Sequence, residues 1–239
     1  MNILVVNDDG IEAPGLLRLA HMAKYFGKVT VVAPEHQCSA MSHRITIRKE
    51  MYLKKVNFSV PEVEAYSLSG TPADCVKVGI HHVMSEKPDY VFSGINNGYN
   101  TGFDIEYSGT VAAAIDGVMN GVKSIAYSHS MGDRYEITDR YILEITKKIV
   151  EREIEKDMIW NVNFPECGME NLKGILWDRK IAGLQVHDDR FVSVKKEGNT
   201  EVIREEGVMI DLRKIDNSTD VGAVMNHYIS IGKVKGIVT

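Results

Sequence analysis

The sequence predicts an α/β fold built around a doubly wound, mostly parallel sheet with helices on both faces. Continuous apolar runs rich in β-branched residues alternate with helical stripes through the first two-thirds of the chain. Such runs are typical of strands buried on both faces, and their alternation with helices is typical of right-handed βαβ units. After Pro165, glycines punctuate short segments, which predicts β-hairpins in a smaller C-terminal β-rich lobe.

The first two-thirds of the chain supply most of the predicted sheet. Pro14 begins a helix with one apolar stripe, and Gly27 ends it. Thr71-Pro72-Ala73-Asp74 is typical of a helix start, because it combines a threonine cap, an early proline and an acid. Two more helices are predicted from Ser108 to about Gly121 and over Arg140–Glu153. Buried strands are predicted at Ile3–Val6, Val29–Ala33, Tyr90–Ser93, Ser124–Ser128 and Trp160–Phe164.

A hairpin interrupts this alternation early in the chain. Ile45–Arg48 and Met51–Lys54 are predicted as short strands that leave the main sheet, and Val63–Leu68 as a strand that follows them. We therefore expect a catalytic core over residues 1–165 with a hairpin insertion at about 45–68.

The remainder of the chain, 166–239, is predicted to form the β-rich lobe. Phe191–Val194 and Glu201–Arg204 indicate a hairpin, and the tail from Thr219 returns to the core at Tyr228–Ile231. Because of this return, we expect that the lobe does not fold independently.

Composition narrows the range of functions and partners. The chain has 239 residues, 44% of them hydrophobic, and a formal net charge of −5. Duplex nucleic-acid binders usually carry a basic excess, which this chain lacks, so we predict that a nucleic-acid duplex is not a partner. An anionic substrate would have to be attracted by a metal ion or by local amides. The three cysteines are distant from one another, which favours reduced thiols in the cytoplasm. The N-terminal apolar run is too short for a signal peptide or a membrane span, so we predict no membrane partner.

Two adjacent carboxylates, Asp8 and Asp9, follow the first predicted strand. They repel each other and are costly to desolvate near a buried strand end, and a cation would remove both penalties. Hard oxygen ligands of this kind suit Mg²⁺, Mn²⁺ or Ca²⁺ better than soft metals. The alternative is an ordinary solvated turn, because Asn-Asp-Asp-Gly is also good turn sequence.

Two further polar loops follow predicted strands at the same edge. Ser39 lies in the loop after the second strand, where a serine can bind a metal ion, bond a phosphate or simply cap the loop. The segment Ser93–Gly102 contains three glycines and three asparagines, which indicates a sharply turning backbone close to a ligand. Asparagine oxygens can bind a metal ion, and asparagine amides can hold phosphate oxygens. An extended surface loop is the alternative.

The helix that begins at Ser108-Gly109-Thr110 offers a third element, a site for an anion. Free backbone N–H groups and the helix dipole favour anions at such a start, although an ordinary serine cap has the same sequence. Ligands of doubly wound folds bind outside the carboxyl ends of the strands. Together, the loops predict metal-assisted hydrolysis of a phosphate ester, in which a metal ion polarises the phosphoryl oxygen and activates a bound water.

These motifs resemble those of the survival protein E (SurE) family of nucleotidases. The resemblance covers most of residues 1–165, and the motifs occur in the family's order. It is carried by Ile3–Gly10 (ILVVNDDG), Val31–Ala40 around APEHQCSA, Ser69–Asp74 (SGTPAD), Ser93–Gly102 (SGINNGYNTG), Tyr107–Gly117 (YSGTVAAAIDG) and Asn161–Pro165 (NVNFP).

The resemblance implies a Rossmann-like core with a protruding hairpin arm and hydrolysis of nucleoside 5′- and 3′-monophosphates. It also implies one divalent metal ion per subunit, Mg²⁺ or Mn²⁺, and a homodimer or homotetramer. By motif position, the implied metal ligands are Asp8, Asp9, Ser39 and Asn96. The implied phosphate contacts are Asn100, Ser108, Gly109 and Thr110.

Several alternatives stay open. Asp8 or Asp9 could assist as a base, and the sequence does not decide between them. The site could serve a sensor that binds a nucleotide or a metal without turnover, or a phosphatase of another substrate such as polyphosphate. Near its end the chain has Gly232-Lys233-Val234 where the family usually has Thr-Pro-Leu, and residues 166–218 match the family weakly.

Overall fold

The computed structural model describes residues 1–210, 212 and 215–236, without the side chains of His187 and Met209. The helices are α1 (Pro14–Ala23), α2 (Pro72–Val78), α3 (Gly109–Met119), α4 (Glu136–Val150) and α5 (Asp220–Met225). The strands are β1 (Asn2–Val6), β2 (Lys28–Pro34), β3 (Leu53–Val56), β4 (Glu64–Leu68), β5 (Tyr90–Asn97), β6 (Lys123–His129), β7 (Met158–Phe164), β8 (Gly174–Arg179), β9 (His187–Asp188), β10 (Phe191–Glu197), β11 (Thr200–Glu205), β12 (Val208–Met209) and β13 (Tyr228–Lys235).

Nine of these strands form one sheet in the order β3-β4-β2-β1-β5-β6-β7-β13-β8. The central run from β4 to β7 is parallel, and β3 and β13 are the antiparallel additions. The strands β10 and β11 form a separate antiparallel hairpin whose side chains are mostly exposed. The structure therefore confirms the α/β prediction, with a mostly parallel sheet and a small antiparallel β-rich C-terminal part.

The central strands are buried on both faces, which explains their continuous apolar sequences. In β1, Ile3 and Val5 pack in the cluster that contains Leu16 and Leu19 of α1. Because side chains alternate along a strand, Leu4 and its neighbour Val6 face the other cluster, which includes residues of α2. The first strand is thereby fixed between two helical layers, and the residues that follow it emerge at the carboxyl edge of the sheet.

The structure of residues 45–68 differs from the hairpin predicted there. Ile45–Arg48 forms no strand, and β3 does not leave the main sheet but forms its edge, so both of these predictions are wrong. The strand predicted at Val63–Leu68 is confirmed as β4. The Asp74 side chain explains why Ile45–Arg48 forms no strand. The main-chain N–H of Thr46 donates to the Asp74 carboxylate instead of to a neighbouring strand.

The second half of the chain returns to the main sheet, as predicted. Residues 228–235 form β13, which lies between β7 and β8, so two C-terminal strands complete the nine-stranded sheet. α4 begins at Glu136, four residues before the predicted start. β5 continues to Asn97, so that half of the predicted glycine-rich loop is strand. A domain division at residue 165 stays a prediction.

The predicted helix start at Thr71 is confirmed, and it also anchors the loop that replaces the expected strand. Thr71 and Asp74 form a capping box at the start of α2. The buried Asp74 carboxylate accepts from the Thr71 N–H at 3.0 Å and from the Thr46 hydroxyl at 2.7 Å. One carboxylate thus satisfies donors of a helix and of a distant loop.

Replacing Asp74 with alanine should lower the free energy of unfolding by about 3 kcal/mol, because several donors to one buried carboxylate lose their acceptor together. Chemical denaturation followed by circular dichroism measures this. Asp89→Ala is the control, since the exposed Asp89 carboxylate accepts from the Asn2 N–H, and its loss should cost less than about 1 kcal/mol. Equal losses in the two variants would contradict the role of Asp74.

Candidate metal and phosphate site

The site lies at the carboxyl edge of the sheet, where β1 is flanked by β2 and β5. Asp8 and Asp9 follow β1, the loop with Ser39 follows β2, and Asn96 is the last residue but one of β5. Because the three strands are parallel, their carboxyl ends meet at one edge. Segments that are distant in sequence are thereby brought to the same two carboxylates.

Asp8 is held by the start of α3. Its side chain is 4% exposed, and Thr110 donates to it twice, from the main-chain N–H at 3.2 Å and from Oγ1 at 2.5 Å. Gly109 allows this approach, because a Cβ at that position would lie 2.9 Å from the Asp8 Cβ. Thr110 therefore fixes the orientation of the Asp8 carboxylate, as hydrogen-bond partners of metal ligands commonly do.

The loop after β2 contacts both carboxylate residues. The Cys38 N–H donates to the main-chain carbonyl of Asp8 at 2.7 Å, and Gln37 Nε2 donates to Asp9 Oδ1 at 3.3 Å. Ser39 follows directly and is exposed. The neighbours of Ser39 thus tie its loop to Asp8 and Asp9.

The end of β5 contacts Asp9 from the other side. The Asn97 N–H donates to Asp9 Oδ2 at 3.0 Å. Asn96 is half-buried, and its Nδ2 donates to the Gly98 carbonyl at 2.9 Å, so its Oδ1 is the side-chain atom suited to a cation. Sequence reasoning missed the contacts of Gln37 and Asn97, although both residues lie within motifs that it had singled out.

Burial sets the electrostatics of the carboxylate pair. Desolvation, with a smaller contribution from the charge of Asp9, raises the pKa of Asp8 to about 6 against the opposing effect of the Thr110 hydrogen bonds. Desolvation also raises the pKa of Asp9, against the hydrogen bonds from Asn97 and Gln37. Two adjacent carboxylates that resist ionisation are a favourable place for a divalent cation, which would stabilise both charged forms.

The donor set fits a hard divalent metal ion. Within residues 1–210, 212 and 215–236, no three His, Cys, Asp or Glu side chains cluster as a metal site. The proposed set needs only two carboxylates, completed by the hydroxyl of Ser39 and the amide oxygen of Asn96. All four are oxygen ligands, which Mg²⁺ and Mn²⁺ accept and softer metals do not favour.

Of the residues predicted to contact phosphate, Gly109 and Thr110 lie against Asp8. Ser108 caps α3, with its Oγ accepting from the Val111 N–H at 3.1 Å. Thr110 is predicted to contact phosphate, but in this structure its main-chain N–H and its Oγ1 donate to the Asp8 carboxylate. Asn100 is 5% exposed, and its main chain and side chain are bonded to asparagine and serine side chains of β6 and β7.

A buried acid from the C-terminal segment holds the far end of the glycine-rich loop. The Asp220 carboxylate accepts from the Gly102 N–H at 3.0 Å, from the Ala182 N–H at 2.8 Å and from its neighbour's N–H at 2.8 Å. The pKa of Asp220 is raised by burial, against these hydrogen bonds. No local signal links residues 118 positions apart, so sequence reasoning missed this anchor.

The fold and the site together define a mostly parallel α/β protein with oxygen donors gathered at its carboxyl edge. The family model described as Survival protein SurE matches residues 3–185 of the chain. The chain belongs to this family, which confirms the resemblance found in its motifs.

Relatives of similar length support the assignment. A 5′-nucleotidase SurE of Clostridium botulinum (strain Loch Maree / Type A3) is 41% identical over 239 residues, covering 97% of this chain and 91% of the relative. A 5′-nucleotidase SurE of Thermoanaerobacter sp. (strain X514) is 40% identical over 235 residues, covering 97% of this chain and 90% of that relative. The solved SurE protein from Aquifex aeolicus has a TM-score of 0.83 and 32% identity, covering 100% of this chain and 95% of that one.

Among the described residues, no helix is both long enough and apolar enough to cross a membrane.

Asp8→Asn should stabilise the metal-free protein at pH 8 by about 1–2 kcal/mol, less than the full effect of the pKa shift because asparagine offers Thr110 one acceptor fewer. The folded protein binds the Asp8 proton more tightly than the unfolded chain, so the wild type loses stability as the pH rises through about 6. The advantage of the variant should therefore shrink below pH 6. Denaturation in EDTA at pH 8 and pH 5 measures it.

Excess Mn²⁺ should reverse the order, because the wild type gains binding energy that the variant lacks. Asp133→Asn, at an exposed acid, is the control and should show neither effect. An Asp8→Asn protein that is less stable than the wild type in EDTA at pH 8 would contradict the electrostatic account.

Proposed function

We propose that the chain is a divalent-metal-dependent phosphatase of nucleoside monophosphates, cleaving 5′- and 3′-phosphomonoesters. The enzyme class follows from membership of the family. The chain is a phosphoric monoester hydrolase, similar over nearly its whole length to proteins named 5′-nucleotidase SurE. The observation that supports the metal dependence is the convergence of three segments on the desolvated Asp8-Asp9 pair.

Asp8, Asp9, Ser39 and Asn96 would hold the metal ion, Mg²⁺ or Mn²⁺. When bound, such an ion supplies positive charge to phosphoryl oxygens and lowers the pKa of a water molecule. Thr110 orients Asp8 by two hydrogen bonds, and the Asn97 N–H orients Asp9 by one. These bonds hold the carboxylates in place before the substrate arrives, which reduces the reorganisation needed during the reaction.

The start of α3 and the glycine-rich loop would hold the phosphate. Ser108, Gly109 and Thr110 place the positive end of an 11-residue helix beside the carboxylates, and Asn100 lies in the adjoining loop. With a net charge of −5, the protein relies on these local groups for anion binding. The assignment of Asn100, Ser108, Gly109 and Thr110 to phosphate is part of the proposal.

The predicted partners are nucleoside monophosphates. The homodimer or homotetramer that the resemblance implies, and the location in the cytoplasm, stay predictions.

Phosphate release from AMP and GMP should require a divalent metal ion. The wild-type protein should hydrolyse 5′- and 3′-monophosphates with Mg²⁺ or Mn²⁺, lose activity in EDTA and regain it when the metal is restored. A panel that includes polyphosphate and a sugar phosphate separates the nucleotidase from other phosphatases. Tight nucleotide binding with no phosphate release from any substrate under any metal would refute the proposal in favour of a sensor.

Asp9→Asn should reduce turnover of the best nucleotide by about 100-fold or more while the protein stays folded, because it removes half of the anionic charge proposed to hold the metal. Steady-state kinetics across Mn²⁺ concentrations measure the loss, and part of it should be recovered at high Mn²⁺. Asp133→Asn serves as the charge-matched control. Unchanged turnover in Asp9→Asn would remove Asp9 from the metal site.

A further inference from the structure

Two buried asparagines interrupt the apolar sequence of β7 near the site. Asn161 and Asn163 lie on the same face of the strand as Ile159, whereas Trp160 and Val162 face the opposite core. Asn161 is 3% exposed and Asn163 is 1% exposed. A buried amide costs free energy unless it is hydrogen-bonded, so the partners of these side chains indicate what they do.

Both asparagines bind Asn100 of the glycine-rich loop. Asn163 Oδ1 accepts from the Asn100 N–H at 2.9 Å, and Asn163 Nδ2 donates to the Asn100 carbonyl at 3.1 Å. Asn161 Nδ2 donates to the same carbonyl at 2.9 Å. The Asn100 side chain donates in turn to Ser128 Oγ of β6 at 2.8 Å. Groups from two strands therefore fix both the main chain and the side chain of Asn100.

The two asparagines do not contribute equally. Asn163 bonds both main-chain groups of Asn100 and so sets the direction in which the Asn100 side chain leaves the loop. Asn161 bonds only the Asn100 carbonyl. That carbonyl also accepts from Asn163, so it would still have a partner if Asn161 were removed. Asn161 Oδ1 has no hydrogen-bond partner within the described part of the chain. Of the two, Asn163 is the one whose loss would release Asn100.

We propose that Asn163 is a positioning residue for phosphate binding that acts through Asn100. The proposal rests on the proposed function, in which Asn100 contacts the phosphate. Among the described residues, the side-chain hydrogen bonds of Asn163 go to Asn100 and not to the four residues proposed to hold the metal ion. Loss of Asn163 should therefore weaken phosphate binding and leave metal binding intact.

A double-mutant cycle on the affinity for inorganic phosphate tests this inference. With saturating Mg²⁺, Asn100→Ala and Asn163→Ala should each weaken phosphate binding about tenfold, the lower end of what partners of site residues contribute. The double variant should bind no more weakly than Asn100→Ala, because residues that act through one contact are not additive. The Mn²⁺ affinity of Asn163→Ala should stay within about twofold of the wild type, whereas a general structural defect would lower both affinities.

A second variant covers the case in which Asn163→Ala does not fold. Asn163→Asp keeps an oxygen that accepts from the Asn100 N–H but places another against the Asn100 carbonyl, so it should also weaken phosphate binding. The matched control is Asn226→Ala, since Asn226 Nδ2 likewise bonds a main-chain carbonyl, that of Gly222 at 2.9 Å. This control should lose stability and keep its phosphate affinity.

The outcomes distinguish failure of the proposed function from failure of the positioning role of Asn163. A wild-type protein that releases no phosphate from any monophosphate ends the proposed function. An active wild type whose phosphate affinity is unchanged by Asn163→Ala overturns the positioning role alone. Additive losses in the double variant, or a parallel loss of Mn²⁺ affinity, would also overturn it.

Discussion

Burial of the Asp8 carboxylate beside Asp9 is the constraint on which the site depends. A charge that is 4% exposed and adjacent to a second acid is unstable without compensation, and the pKa of Asp8 rises accordingly. The structure supplies part of that compensation through Thr110 at the start of α3. A divalent cation would supply the remainder, so the same feature that destabilises the metal-free protein would favour metal binding.

The parallel sheet makes this arrangement possible. With β1 between β2 and β5, Gln37 of the loop after β2 and Asn97 at the end of β5 both donate to the Asp9 carboxylate. Gly109 then lets α3 approach Asp8 more closely than any residue with a side chain would allow. Strand order and one glycine thus place a hydroxyl, amides and a helix start around two acids.

The second half of the chain supplies side chains that hold the glycine-rich loop. Asn163 of β7 holds Asn100, and Asp220 holds Gly102, so the glycine-rich loop is fixed by side chains 63 and 118 residues away. That residues 166–239 do not fold alone stays a prediction.

The sequence by itself determined the fold class, the family and the candidate ligands, because buried strands, helix caps and motifs such as Asn7-Asp8-Asp9-Gly10 are local patterns. It mispredicted Ile45–Arg48 as a strand and missed the hydrogen bonds between Asn163 and Asn100. Periodicity reports that a residue is buried but not which group it bonds, so the capture of Thr46 by Asp74 and the hold of Asn163 on Asn100 were decided by the tertiary structure. Partners separated by tens of residues meet only after the sheet has set its strand order.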